Sequence, residues 1–213
     1  MNRVYDMKEQ SSLFVFASPS GGGKTSLVKA LLSKIDSIEV SVSHTTRAKR
    51  DGEEEAKHYY FVDDKEFNHL VNENTFIEHA KVFDYQYGTN RLQIEERLAR
   101  GVDVVLDIDW QGARQLKQHF NNIVSIFILP PSVEALKDRL KKRQQDDDAI
   151  IAGRMEKAQN EIRHFDEFDY LVINDDFDAA LMQVIEIIRS HRLKCKFQKL
   201  KHKTLLSNLL ISK

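Results

Sequence analysis

The sequence predicts an α/β fold, with a parallel sheet covered by crossover helices. Three observations lead there. Short runs such as the wholly apolar "LFVFA" (13–17) and the mainly apolar "IVSIFIL" (123–129) read as buried strands. Helical patterns separate them, and strand–helix alternation favours parallel pairing. A glycine-rich stretch, "SPSGGGKT" (18–25), sits between the first strand and the first helix.

The elements follow in order. "TSLVKALLSKI" brings Leu27, Ala30, Leu31 and Leu32 onto or near one helical face. "IEVSVSHTTR" alternates like a strand, and a charged turn leads to a second strand-like segment around "HYYFV". "KEFNHLVNENT" reads as a short helix and "FIEHAKVFDYQYG" as strands or loops. "NRLQIEERLARG" is a helix stopped by Gly101. "VDVVLDID" is a buried strand ending in acids, followed by the helix "WQGARQLKQHF". Pro130-Pro131 close the strand "IVSIFIL". Ser132 is a good N-cap for "VEALKDRLKKRQ", and "DDDAIIAGRMEKAQNEIRHF" gives a second helix. "DYLVIND" is a last strand and "FDAALMQVIEIIRSHRL" a closing helix. The segment 41–91 breaks the alternation and reads as an insertion; 137–155 reads as surface-borne.

The 213 residues suit one domain with a sizeable core. Lys+Arg number 32 against 33 Asp+Glu, so overall charge points to neither nucleic acid nor membrane as a partner. Cys195 is the only cysteine, which excludes an intrachain disulfide and suits a reducing compartment. The N-terminal segment lacks the apolar core of a signal peptide, and no run approaches the roughly 18 apolar residues of a membrane span. Cytoplasm is the expected location.

"SPSGGGKT" is close to a phosphate loop, with Ser18 in place of the first glycine. Such a loop curls backbone N–H groups around an anion at a helix N-terminus. Ser20, Gly21, Gly22, Gly23 and Ser26 would line it, Lys24 would reach the β/γ phosphates, and the Thr25 hydroxyl would hold Mg²⁺. The alternative is an ordinary glycine turn with a chance lysine; the flanking strand and helix argue against it. The loop also needs an acid at a neighbouring strand end, and Asp107 and Asp109 offer two on one face.

The acceptor region is 41–89. "SVSHTTRAKRDGE" places Arg47 and Arg50 three residues apart, two guanidiniums able to fork a phosphate. "HYYF", Glu78 in "FIEHA" and "YQYGT" follow; each alone has a bland structural reading, such as a solvated turn or core packing. Together, "SPSGGGKT", "SVSHTTRAKRDGE", "HYYFV", "FIEHAKVFDYQYGT", "LDIDWQGA" and "LPPSVEALKDRLKKR" closely resemble the guanylate kinase family over about residues 11–190.

That resemblance implies a three-layer P-loop NTPase-type parallel sheet, an inserted mixed α/β GMP-binding subdomain and a helical lid. It divides the chain into a core (11–40, 92–136 and 156–193), the GMP-binding subdomain (41–91), the lid (137–155) and a basic, leucine-rich extension (194–213). It implies transfer of the ATP γ-phosphoryl group to GMP, and to dGMP, assisted by Mg²⁺. Ser43, Arg47, Arg50, Tyr59 and Tyr87 would hold the GMP phosphate. Glu78, Thr89 and Asp109 would read the base, and Asp107 would act near the metal. Arg139, Arg143 and Arg154 match lid arginines, which with Lys24, Arg47 and Asp107 make the catalytic set. Asn174 matches an asparagine near the adenine pocket.

Two related classes compete. A sugar-phosphate kinase of similar shape should lack the base-reading set, which is present here. Guanylate-kinase-like binding modules have lost the nucleotide loop, which is intact here. The eight histidines show no metal-ligand spacing, Trp110 reads as packing, and the aspartates 146–148 as a solvated loop. In the extension, Leu205, Leu206, Leu209 and Leu210 share a helical face; packing on the core or contact within a homo-oligomer is expected there, rather than membrane.

Overall fold

A computed structural model describes residues 11–82, 84–120, 123–143 and 148–211. Strand β1 (Leu13–Ala17) is buried at every residue. A strand that is apolar on both faces needs cover on both, and it takes the centre of the main sheet. Its neighbours are β7 (Asp103–Asp107) and β8 (Ile123–Leu129). With β2 (Ile38–Val40) and β9 (Tyr170–Ile173) at the edges, the five run parallel in the order β2-β7-β1-β8-β9.

The two faces carry separate cores, which makes three layers. Phe14, Phe16, Ile126 and Ile128 pack under helices α1 (Lys24–Leu32) and α7 (Phe177–Arg192) through Leu27, Leu31, Val184 and Ile188. Leu13, Val15, Val104 and Leu106 pack under α3 (Arg91–Ala99) and α4 (Trp110–His119) through Ile94, Leu98 and Leu116. The register sets Phe16 beside Asp107. The end of β7 therefore lies next to the loop that leaves β1, at the carboxyl edge where open α/β sheets bind ligands.

Segment 41–91 forms a second, four-stranded sheet in the order β4-β3-β6-β5. Its strands are β3 (His44–Thr45), β4 (Tyr60–Phe61), β5 (Phe76–Val82) and β6 (Tyr85–Asn90). β3 pairs parallel with β4 and antiparallel with β6, so this sheet is mixed. Helix α2 (Asp64–Asn72) covers it with Phe67. The alternating stretch "IEVSVSHTTR" is not one strand. Ser41 N–H still bonds the Val105 carbonyl of the main sheet at 2.9 Å, whereas Thr46 N–H bonds the Gln86 carbonyl of the second. The chain changes sheets between them.

Helices α5 (Val133–Arg143) and α6 (Asp148–Ile162) pack on each other through Leu136, Leu140 and Ala158. Ser132 caps α5, accepting Ala135 N–H at 3.1 Å. Arg143 closes α5, but its side chain lies outside the described residues, as do Asp146 and Asp147 entirely. The extension folds as α8 (Cys195–Lys201) and α9 (Lys203–Ile211). Phe197 packs near His191, with ring centroids 5.0 Å apart. The expectation that the leucine row packs on the core does not hold. Leu205, Leu206, Leu209 and Leu210 are all exposed.

Candidate active site

The cleft opens where the two sheets meet, and its volume is about 240 Å³. One wall is the glycine loop. Gly21 and Gly23 adopt φ of +88° and +94°, a region costly for any residue with a Cβ. Ser18 does not enter that region, so a serine fits at the loop entry. Gly23 is the N-cap of α1, so the first free N–H groups of that helix face the cleft. Lys24 Nζ stands 2.6 Å from Asp107 Oδ1 and donates to the Ile108 carbonyl at 2.9 Å. Thr25 Oγ1 lies 3.5 Å from the second Asp107 oxygen.

The opposite wall comes from the second sheet: Ser43, Tyr59, Glu78 and Tyr87. Glu78 pairs with Thr89 across the β5/β6 ladder, just past an irregularity between Phe76 and Glu78. Such a bulge re-aims a side chain, here toward the cleft. Thr89 Oγ1 donates to Glu78 Oε1 at 2.5 Å and lies 3.2 Å from Ser43 Oγ. Burial raises the Glu78 pKa to about 7; Asp109 adds to the rise and the Thr89 bonds oppose it. Gly112 of α4 makes room for this carboxylate: a Cβ there would come within 2.4 Å of Glu78 Oε2. Burial, reinforced by Asp107 and Tyr87, pushes the Tyr59 phenol up to about 12. It stays a neutral donor at ordinary pH.

Of the remaining candidates, Asp109 lines the cleft, whereas Ser26, Arg47, Arg50, Thr89, Arg139 and Arg154 do not. Asp109 also caps α4, accepting Gly112 N–H at 3.0 Å. Arg47 is buried behind Tyr59, its guanidinium carbon 5.4 Å from that ring centroid. Glu53 fixes it, with Arg47 Nη2 at 2.6 Å, and also accepts Arg50 N–H at 2.8 Å. The Arg50 side chain points to solvent. Thr89 stands one layer behind the wall, and Ser26 is exposed on α1. Arg139 Nη2 donates to the Asn174 carbonyl at 2.8 Å. Its Nη1 is buried with no hydrogen-bond partner among the described residues. Arg154 lies part-buried on α6.

Three residues have contacts that the spacing gave no sign of. Asn174 is buried, and its Nδ2 donates to the Gly22 carbonyl at 2.9 Å. Its amide braces the back of the loop. Glu53 was visible only as the end of "RAKRDGE"; the arginine it would bond could not be read from a turn motif. Glu161, in the last turn of α6, also lines the cleft and belongs to no motif quoted above.

Taken together, the arrangement has an anion cradle with a lysine on one side. On the other it has a buried carboxylate flanked by hydroxyls, with Arg47 set behind Tyr59. It can hold a polyanion against a second ligand that offers N–H donors and a phosphate.

Comparison with known proteins gives the family. A family model described as guanylate kinase matches residues 10–191. A guanylate kinase of Legionella pneumophila (strain Lens) is 54% identical over 201 residues, 94% of this chain and 96% of its own length. One of Pseudoalteromonas translucida (strain TAC 125) is 50% identical over 201 residues, 94% and 98% of the two chains. The crystal structure of guanylate kinase from Anaplasma phagocytophilum matches with a TM-score of 0.72 at 36% identity, covering 89% of this chain and 90% of that one.

Proposed function

The chain belongs to the guanylate kinase family, and on that premise we propose how its residues divide the work of the family's reaction. That reaction passes the γ-phosphoryl group of ATP to GMP, giving ADP and GDP. The observation that carries the residue assignment is the cleft itself, with Lys24 on one wall and the buried Glu78–Thr89–Ser43 group on the other.

ATP phosphates enter the cradle of Ser20 to Ser26, with α1 supplying the positive end of its dipole. Lys24 leaves Asp107 for the β/γ phosphates. Bound in the cleft, its charge offsets the charge that develops on the transferring group. GMP enters from the second sheet. Glu78, as carboxylate, accepts from the guanine ring N–H and the exocyclic amine. Adenine lacks that donor pair, so the site rejects it by leaving a buried acceptor unpaired. Ser43, Tyr59, Tyr87, Arg47 and Arg50 take the GMP phosphate. Asp109 and Thr89 steady the base-reading side. The attacking phosphate oxygen is already ionised, so no general base is required. Positioning and charge neutralisation carry the rate. Arg139, Arg143 and Arg154 would close over the donor phosphates and exclude water.

A magnesium ion fits this donor set. Thr25 Oγ1 and Asp107 Oδ2 are hard oxygens 3.5 Å apart at the mouth of the cradle. One or two protein oxygens plus substrate phosphates are what this ion usually takes. Bound there, it would supply charge neutralisation across the β and γ phosphates. A cytoplasmic setting, dGMP as a second acceptor and self-association through the exposed α9 row belong to the same proposal.

The test is a coupled assay of ADP formation with GMP, dGMP, AMP, UMP and ribose bisphosphate. Turnover with GMP and dGMP and none above background with AMP or UMP is expected. A folded protein that used ribose bisphosphate and ignored GMP would overturn the reading.

A further inference from the structure

Ser20 N–H donates to Glu161 Oε2 at 2.9 Å, across 141 residues of sequence. A phosphate loop does not need this bond to hold an anion. Glu161 also sits in a cleft built for polyanions, beside Lys24 and Asp109. A carboxylate there opposes the substrate's charge; burial and Asp109 raise its proton affinity, while the Ser20 bond and Lys24 lower it. Anion binding therefore gives no reason for an acid at this position.

Geometry gives one. Arg154 precedes Glu161 by seven residues on α6, two helical turns, so both side chains lie on one face of that helix. The α5–α6 hairpin meets the loop at two adjacent residues. At Gly21 the contact is apolar: a Cβ there would come within 3.0 Å of Leu136 and 3.3 Å of Leu140. At Ser20 it is the polar bond to Glu161. Apolar contact is non-directional and lets a helix roll. A hydrogen bond to a fixed N–H does not.

We propose that Glu161 is a positioning residue: its carboxylate registers α6 on the phosphate loop through the Ser20 N–H, and so sets Arg154 against the transferring phosphoryl group. Glu161 acts through Arg154 and touches no reacting atom. The inference rests on the reading of Arg154 as a lid arginine, and the experiment separates the two.

Turnover is measured for Glu161→Ala, Glu161→Gln, Arg154→Ala and the Glu161→Ala/Arg154→Ala double variant, each checked for folding by its thermal melt. Glu161→Ala is expected to lose about tenfold to a hundredfold in kcat, the scale of a slightly misplaced catalytic group, with KM for GMP unchanged. Glu161→Gln keeps an oxygen acceptor and should recover most of that loss. The double variant should be no slower than Arg154→Ala alone, because the two residues act as a unit. Near-normal turnover of Arg154→Ala would overturn the lid reading, and this inference with it. A slow Arg154→Ala combined with multiplying losses in the double variant would overturn the inference alone. So would Glu161→Gln being as slow as Glu161→Ala. If Glu161→Ala melts below assay temperature, Glu161→Met, which keeps bulk without a strong acceptor, takes its place in the cycle.

Discussion

Glu78 is where burial and function meet at the scale of one residue. Its pKa of about 7 is far above the 4.5 of a free glutamate, because the ion is desolvated. In the ligand-free protein, this group's favourable contribution is fully present below pH 4.5 and is lost as pH rises toward 7. The folded state binds the extra proton over that range. Glu78→Gln should therefore flatten the decline in unfolding free energy between those pH values, read by urea titrations; an unchanged decline would rule out Glu78 as its source. GMP binding has the opposite sign, since the accepting form is the carboxylate. The KM for GMP should rise about tenfold per pH unit below 7, and the Gln variant should lose that slope. Lys24 is simpler. Lys24→Ala should lower kcat by about 10²–10³-fold or more through lost charge stabilisation; a near-normal rate would remove Lys24 from catalysis. Lys24 and Thr25 were legible in the sequence because neighbours at fixed spacing define them, and Glu78 through the family resemblance. The loop contacts of Asn174 and Glu161 were not, although resemblance already matched Asn174 to the adenine side. Each residue bonds the loop over more than 140 residues of chain, and only the folded sheet brings them there.

Among the elements, β1, the loop and α1 follow directly from their local pattern: an apolar run, glycines and a helical repeat. The changeover at residues 41–46 does not. Alternation predicts extended chain but cannot say which sheet an extended residue joins, and pairing partners decide that. The start of α4 illustrates how one element serves another. Gly112 lies in its first turn and leaves space for Glu78. Gly112→Ala should favour the helix by roughly 1 kcal/mol on propensity alone. It should nevertheless raise the KM for GMP about tenfold by displacing the carboxylate, with the KM for ATP unchanged. Kinetics at varied GMP and fixed ATP checks this; an unaltered KM for GMP would mean that Glu78 has room to shift. The leucine row of α9 shows the limit of periodicity as a guide. It identifies an apolar face correctly and does not tell what covers it.

At the scale of the whole molecule, donor and acceptor sites come from different sheets, and no single segment contains the cleft. The main sheet supplies the cradle, Asp107 and Asp109; the inserted sheet supplies Glu78, Tyr59 and Ser43. Alternating strands and helices made the first legible, and the break in alternation marked the second. How the two walls face each other was not legible, because that depends on Phe16 pairing with Asp107 and on the bulge before Glu78. The separation has a consequence that can be measured. Acceptor recognition and donor binding should be separable by mutation, although catalysis needs both. Calorimetry of GMP and of ATP binding to the parent protein and to Glu78→Gln tests this most directly. The account predicts that GMP affinity falls about a hundredfold while ATP affinity is unchanged. Equal loss of both affinities, or loss of neither, would contradict it.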